Sequence, residues 1–442
     1  MSTGDSTGGI TGAGTGVGSG ARSVGLPPLG RNVKVLAAVS FFTDVASEMI
    51  YPLLPLFLST VLGTTTAALG VIEGMAESVS ALLQLPAGWY SDRIRRRKPL
   101  VLFGYLVAAV TRPLIGLATA TGQVLAIRLA DRFGKGVRTA PRDALIADSV
   151  VASQRGYAYG LHRAADSLGA VVGPLVAWAL LTGGVVELRG LFQLALLPGL
   201  VSVVLVWWLV REVRAEVPVV GVAGRVARGE LEGEAAQSPN GAETVAAVAA
   251  EAGAAAPLGA AFWRYLTVLF VFTLGASSDA FLLLRISQLG VATSLIPILW
   301  AFLHVVKSGS TVLGGRLSDR VGRRPLILGG WVVYGAVYLG FAFASAAWHA
   351  WALFLVYGLY FGATEGTEKA FVADLVPASR RGTAFGWFNA ALGLGALPAS
   401  IGFGVVWERY GAHVAFMMGA GLAALATVLL VVLVPAQARE GT

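Results

Sequence analysis

Residues 41–55 read FFTDVASEMIYPLLP, with apolar sequence on both sides. Asp44 and Glu48 stand four apart, so a helix puts both carboxyl groups on one face. Glu73 and Glu77 repeat the spacing, and Arg128, Asp131, Arg132, Lys135, Arg138, Arg142 and Asp143 repeat it more densely. On a helix those seven fall within an arc of about 140°. Burial opposes the ionised form of a carboxyl group, while a neighbouring arginine favours it. A group balanced between the two can load a proton from one side and release it to the other. Such residues suit proton coupling, and Asp44, Glu48, Glu73, Glu77 and Arg132 are the candidates for it. Asp44 or Glu48 acting with Arg132 is the first choice.

The elements that must position these groups are long and apolar. The chain has 442 residues, 56% hydrophobic and 13% charged, with a mean hydropathy of +0.72. About twelve runs reach the roughly 20 residues needed to cross ~30 Å of hydrocarbon as helix. They fall at 33–60, 66–89, 99–119, 122–150, 157–183 and 189–211, and at 261–289, 293–315, 325–346, 349–376, 383–408 and 411–435. The ten-residue alternation of a membrane β-barrel is absent. The fold class is therefore an all-α polytopic membrane protein, with twelve transmembrane helices in two bundles of six. Residues 1–32 form a Gly/Ser/Thr-rich tail without the apolar core of a signal peptide. Residues 33–211 form the first bundle, 212–259 an Ala/Gly/Glu-rich linker, and 260–436 the second bundle.

The two blocks repeat. GWYSDRIRRRKPL at 88–100 matches GRLSDRVGRRPL at 315–326, and IADSVVASQRGYAYG at 146–160 matches VADLVPASRRGTAFG at 372–386. Basic residues gather at 93–98, 155, 211–228 and 320–324, whereas the alternate connections have no Lys or Arg. By the positive-inside rule the basic side is cytoplasmic, so the expectation is an integral protein of the cytoplasmic membrane with both termini on the cytoplasmic side. The net charge of +8 thus reads as topology and contact with anionic lipid, not as a nucleic-acid surface. No cysteine is present, so thiolate metal sites are excluded, and no metal or cofactor is expected.

Two six-span halves with these loops resemble the major facilitator superfamily. Its loop signature G-x-x-x-D-R/K-x-G-R/K-R/K is matched in full from Gly315 through Asp319, Arg320 and Arg323 to Arg324. The first copy, with Gly88, Asp92 and Arg93, departs from it at Arg95, where glycine is usual. RFGKG matches the fourth-helix R-x-x-x-G signature at Arg132 and Gly136. GAVVGP, with Gly169, Gly173 and Pro174, resembles the fifth-helix signature of exporters, without its second glycine pair. The resemblance implies alternating access by a monomer, and gating roles for the loop motifs. A plainer reading of Gly169 and Gly173 is close helix packing.

A charge facing lipid at mid-bilayer costs about 2.5–3.5 kcal/mol, so the charged faces must line a wet cavity or meet partners. Asp44 lies about 16 Å along its span and Arg132 about 15 Å along its own, both near the midplane. Further cavity or substrate candidates are Arg128, Lys135, Arg138, His162, Arg163, Asp166, Asp279, Arg285, His304, Lys307, Glu365 and Asn389. The functional expectation is proton-coupled export of a small molecule: a drug, a metabolite or a metalloid. A proton-coupled importer of a polar or anionic metabolite is the nearest rival. From other classes, a non-transporting receptor on the same fold and a membrane enzyme fit less well. No G-x-x-x-x-G-K-S/T motif occurs, and the scattered charges suit a path better than a catalytic pair.

Overall fold

The computed structural model describes residues 30–94, 96–151, 154–213, 258–377 and 380–434. Most of the expected tail and linker, and residues 435 and 436 of the expected second bundle, lie outside the described residues.

All regular structure among the described residues is helical. Before the linker come α1 (Arg31–Glu48), α2 (Thr66–Ile94), α3 (Lys98–Leu114), α4 (Thr121–Asp148), α5 (Arg155–Thr182), α6 (Leu188–Leu194) and α7 (Leu196–Leu209). After it come α8 (Ala260–Gly275), α9 (Asp279–Gln288), α10 (Ile296–Val321), α11 (Arg323–Phe343), α12 (Ala347–Asp374) and α13 (Arg381–Leu433).

The breaks have local causes. Past Glu48 the first span changes winding, passing through a 3₁₀ turn (Tyr51–Leu53) to a π turn (Phe57–Val61). Pro52 and Pro55 cannot donate to an α-helical ladder there. Pro198 has the same effect between α6 and α7. Ser278 starts α9, its Oγ accepting from the Ala280 N–H at 3.3 Å. Gly411 takes φ 85°, ψ 167° inside α13, between the expected spans 383–408 and 411–435.

Among the described residues, eight stretches are long and apolar enough to cross a membrane by themselves. The sequence count of about twelve runs is larger for physical reasons. The first span is interrupted at its prolines, α4 and α12 carry intramembrane charge, and the stretch Thr383–Leu433 runs through two expected spans. The outer surface is apolar: Leu106, Val110, Leu114, Leu117, Trp207 and Trp208 are exposed. Glu73, Arg112, Arg128, Asp131 and Arg138 are buried. Apolar outside and ionic inside is the arrangement of a chain solvated by lipid.

Helices α4 and α12 are both 28 residues long. Asp148 at the end of α4 pairs with Arg97 ahead of α3. Asp374 at the end of α12 pairs with Arg323 at the start of α11, at 2.8 Å. Both residues of the second pair sit 226 positions after those of the first, so the repeat extends to an ion pair.

Before the linker α1 packs on α5 and α7, α2 on α4, and α3 on α4 and α7. After it α10 packs on α12, α11 on α12 and α13, and α8 on α13. Contacts across the linker run mainly from α2 to α13 and from α5 to α10. The α2–α13 crossing is close because it is made of small residues: a Cβ on Gly70 would lie 2.2 Å from the Ser400 carbonyl oxygen. The core after the linker is strongly aromatic, with Phe272 stacked on Trp331 at 4.3 Å and Tyr334 on Tyr338 at 4.3 Å.

Candidate functional site

The charged stripe of α4 faces α2 and α3. Arg128 forks onto Glu73 of α2, its Nη2 lying 2.9 and 3.1 Å from the two carboxylate oxygens. Arg112 of α3 donates from Nε to Asp131 at 3.0 Å and from Nη1 to the Thr43 carbonyl of α1 at 2.8 Å. Arg132 meets Glu77 of α2 at 3.1 Å. Arg138 donates to the Gly104 carbonyl at 3.1 Å and lies 4.6 Å over the Tyr105 ring. Buried ions are costly unless partnered, and most of the stripe is partnered locally.

A cavity of about 90 Å³ and another of about 450 Å³ share Glu48, Tyr51, Arg132 and Lys135 as lining. The smaller reaches Asp44 and Asp131; the larger reaches Asp279 and Lys307 beyond the linker. Among the described residues the Asp44 carboxylate has no hydrogen bond or ion pair. Trp300 Nε1 of α10 donates to Glu48 at 2.7 Å. The Tyr357 hydroxyl of α12 donates to Asp279 at 2.7 Å. Lys307 meets Glu365 at 3.2 Å and lies 4.1 Å over the Phe361 ring, and Glu365 also pairs with Arg163 of α5.

This geometry is a chamber with acids and bases on both sides of the linker. The profile of the Major Facilitator Superfamily matches residues 36–400, with a second match over 311–441. The chain belongs to the Major Facilitator Superfamily. An uncharacterized MFS-type transporter of Methanocaldococcus jannaschii is 29% identical to it over 408 residues, 91% of this chain and 94% of that protein. The class B tetracycline resistance protein of Escherichia coli is 39% identical over 87 residues, 20% of this chain and 21% of its own. The crystal structure of a D-xylose-proton symporter shares the fold, with a TM-score of 0.69 at 16% identity over 92% of this chain and 98% of that one. A superfamily transporter of this kind is an integral membrane protein and not an enzyme. Nothing in these likenesses supports a non-transporting receptor.

Within this superfamily member the expected site residues divide. Asp44, Glu48, Glu77, Arg128, Arg132, Lys135, Arg138, Asp279 and Lys307 line the two cavities. Glu73 stands behind them as the partner of Arg128. Arg132 pairs with Glu77, not with Asp44 or Glu48, because α4 packs on α2 along that face. Gly169 and Gly173 of α5 seat that helix on α1 at the two acids. A Cβ on Gly169 would lie 2.6 Å from the Phe41 carbonyl oxygen and 2.9 Å from Asp44 Cβ. On Gly173 it would lie 2.7 Å from the Val45 carbonyl oxygen. Pro174 follows inside α5.

Other candidates serve elsewhere. Arg285 was expected at the cavity; it instead donates to the Phe341 and Ala344 carbonyls at the end of α11, at 3.3 and 2.8 Å. Asp166 accepts from Ser40 of α1 and lies 3.6 Å from His162 Nδ1, so this pair ties α5 to α1. His304 packs edge-on against Trp300 at 5.1 Å. Asn389 is partly buried on α13, outside both linings.

The loop motifs bind helix ends. Arg93 lies 5.4 Å over the Trp89 ring, Arg323 pairs with Asp374, and Arg324 donates to the Leu430 and Val431 carbonyls of α13. Gly88 backs onto Ala140 of α4, while Gly315 faces open space. Arg320 is exposed on α10. Asp92 and Asp319 lie on α2 and α10, and their side chains fall outside the described set.

Sequence reasoning missed Arg112, Trp300 and the aromatic wall of the larger cavity. Arg112 is a lone arginine in an apolar span, a signal by its cost alone. Tyr357, Tyr360 and Phe361 share one helix face by their spacing.

Proposed function

We propose that this superfamily member is a proton-coupled exporter of a small molecule, working as a monomer by alternating access in the cytoplasmic membrane with both termini cytoplasmic. The carrying observation is Asp44: it lines the smaller cavity without a partner, while Lys135 and Arg132 connect that cavity to the larger chamber. A carboxylate left out of ion pairs can take and release a proton without breaking one. Glu73 and Glu77 are engaged by arginines and rank behind it. Glu48, held only by the Trp300 N–H, is the second candidate carrier. Export is favoured by the tetracycline resistance protein among the relatives and by the α5 glycines at Asp44 and Glu48. The gating roles of the loop motifs belong to this proposal, supported by the Arg97–Asp148 and Arg323–Asp374 pairs.

The test uses cells stripped of their main exporters and loaded with antibiotics, dyes, organic anions and metalloid oxyanions. Accumulation is compared with and without the protein, with and without a protonophore, and with Asp44→Asn. The proposal predicts lower accumulation of at least one compound, lost with the protonophore and with the variant. Raised accumulation would turn the reading to import. That second reading has its own observation, the two lysines Lys135 and Lys307 in the chamber wall, which suit a polar or anionic metabolite.

A further inference from the structure

The charges around the larger cavity can be taken one at a time. Arg132 is answered by Glu77 and Lys307 by Glu365, while Glu48 accepts only the neutral Trp300 N–H. Besides Glu48, the second candidate proton carrier, two charges are left. The Lys135 ammonium on α4 has no ion pair or hydrogen bond among the described residues. Asp279, on the far side of the linker, has no ion pair among the described residues; it accepts one hydrogen bond from the neutral Tyr357 hydroxyl. The N-terminus of α9 offsets part of that charge but supplies no counter-ion. The chamber therefore holds one unanswered cation on an element before the linker and one unanswered anion on an element after it.

Much of the remaining wall is aromatic. Tyr51, Tyr334, Tyr357, Tyr360 and Phe361 line it. Tyr334 and Tyr360 lie 5.0 Å apart between ring centres, as do Tyr357 and Phe361. Aromatic faces receive flat apolar bodies and also attract amines. A cavity of about 450 Å³ lies in the range that holds a drug-sized molecule.

We infer that the substrate of this chamber is a zwitterion with a ring body, its acidic group answered by Lys135 and its amine by Asp279. The inference rests on the reading of this chamber as the transport site. A molecule with one charge satisfies one wall and leaves the other desolvated without a partner, which is how a site rejects a near-isostere. A molecule with both charges answers both and joins the two halves through itself, so binding favours the state in which they approach. Asp44 lies outside this recognition: it lines only the smaller cavity.

The test uses the purified full chain and two matched trios: norfloxacin, its methyl ester and its N-acetyl derivative; tryptophan, its methyl ester and its N-acetyl derivative. In each trio the parent is zwitterionic, the ester carries only the amine charge, and the acetyl compound only the acid charge. Equilibrium dialysis gives Kd for the wild type and for Lys135→Gln, Lys135→Arg and Asp279→Asn. In at least one trio the zwitterion is expected to bind about tenfold or more tighter than both single-charge forms. Lys135→Gln removes the advantage over the ester, Lys135→Arg keeps it, and Asp279→Asn removes the advantage over the acetyl compound. Neither residue is in an ion pair, and an unchanged Tm checks that the variants fold. If a single-charge form binds as tightly as the zwitterion in both trios, or none of the six binds, the inference is overturned. Gradient-driven flux of another compound alongside that result keeps the transporter reading and removes only the zwitterion. No flux of any compound removes both.

Discussion

Trp300 on α10 donates its indole N–H to Glu48 on α1 at 2.7 Å, so the end of the first helix and a helix beyond the linker share a hydrogen bond. The indole also packs on Tyr51 at 5.3 Å and His304 at 5.1 Å. A conformational change that separates α1 from α10 must break this bond. Trp300→Phe keeps a ring and removes the donor. The chain has no cysteine, so a single Ser278→Cys in the chamber wall reports access cleanly. Maleimide labelling of that cysteine is expected to quicken several-fold in Trp300→Phe. Identical rates would remove Trp300 from the gate.

The Glu73–Arg128 pair is an internal brace. Glu73→Gln leaves the buried Arg128 guanidinium with only Asp131, 3.9 Å away, as counter-ion, a loss of up to about 3–5 kcal/mol. Thermal unfolding in detergent should show a clear drop in Tm, partly restored when Arg128→Gln is added. Asp131→Asn should act alike through Arg112. Wild-type Tm in Glu73→Gln would mean that the pair carries no stability.

The α5 glycines hold α1 in place. Gly169→Val would drive a side chain into the Phe41 carbonyl and Asp44 Cβ, and transport should fall about tenfold or more as α1 is displaced. Gly160→Ala, on the same helix with open space at its Cβ, should transport normally. Equal behaviour of the two variants would show that the contact at Asp44 is immaterial.

Arg163 and Glu365 join α5 to α12 across the linker. Arg163 is largely exposed, so the pair contributes at most about 1 kcal/mol to stability, and its effect should appear in rate. Arg163→Glu should slow transport with Tm unchanged; Glu365→Arg, which also confronts Lys307, should slow it further, and the double exchange should recover only the part due to Arg163. A double variant no faster than Glu365→Arg would assign the two residues separate roles.

Much of this architecture could be read without coordinates. The charged span expected at 122–150 is the helix Thr121–Asp148, and its repeat expected at 349–376 is Ala347–Asp374. Both follow from helical spacing and from internal similarity. The α4 stripe was visible because charges three and four apart share a face. Its pairing was not. Asp44, Glu48, Glu73 and Glu77 are alike in sequence, and only the packing of α4 on α2 decides that Arg132 meets Glu77. Arg285 was equally illegible: an arginine in an apolar span also finds its partners at backbone carbonyls, here the end of α11. The break ahead of α9 carried a signal, the Ser-Ser-Asp run at 277–279 that caps a helix.

In the proposed mechanism Asp44 carries the coupled proton. The direct measurement is flux in proteoliposomes, using a compound found in the accumulation assay, with Asp44→Asn beside the wild type. Flux driven by a pH gradient is compared with exchange of labelled for unlabelled compound without a gradient. Asp44→Asn is expected to lose gradient-driven flux about tenfold or more and to keep the exchange. Full gradient-driven flux in Asp44→Asn would contradict the mechanism and move the proton to Glu48 or to the paired carboxylates of α2.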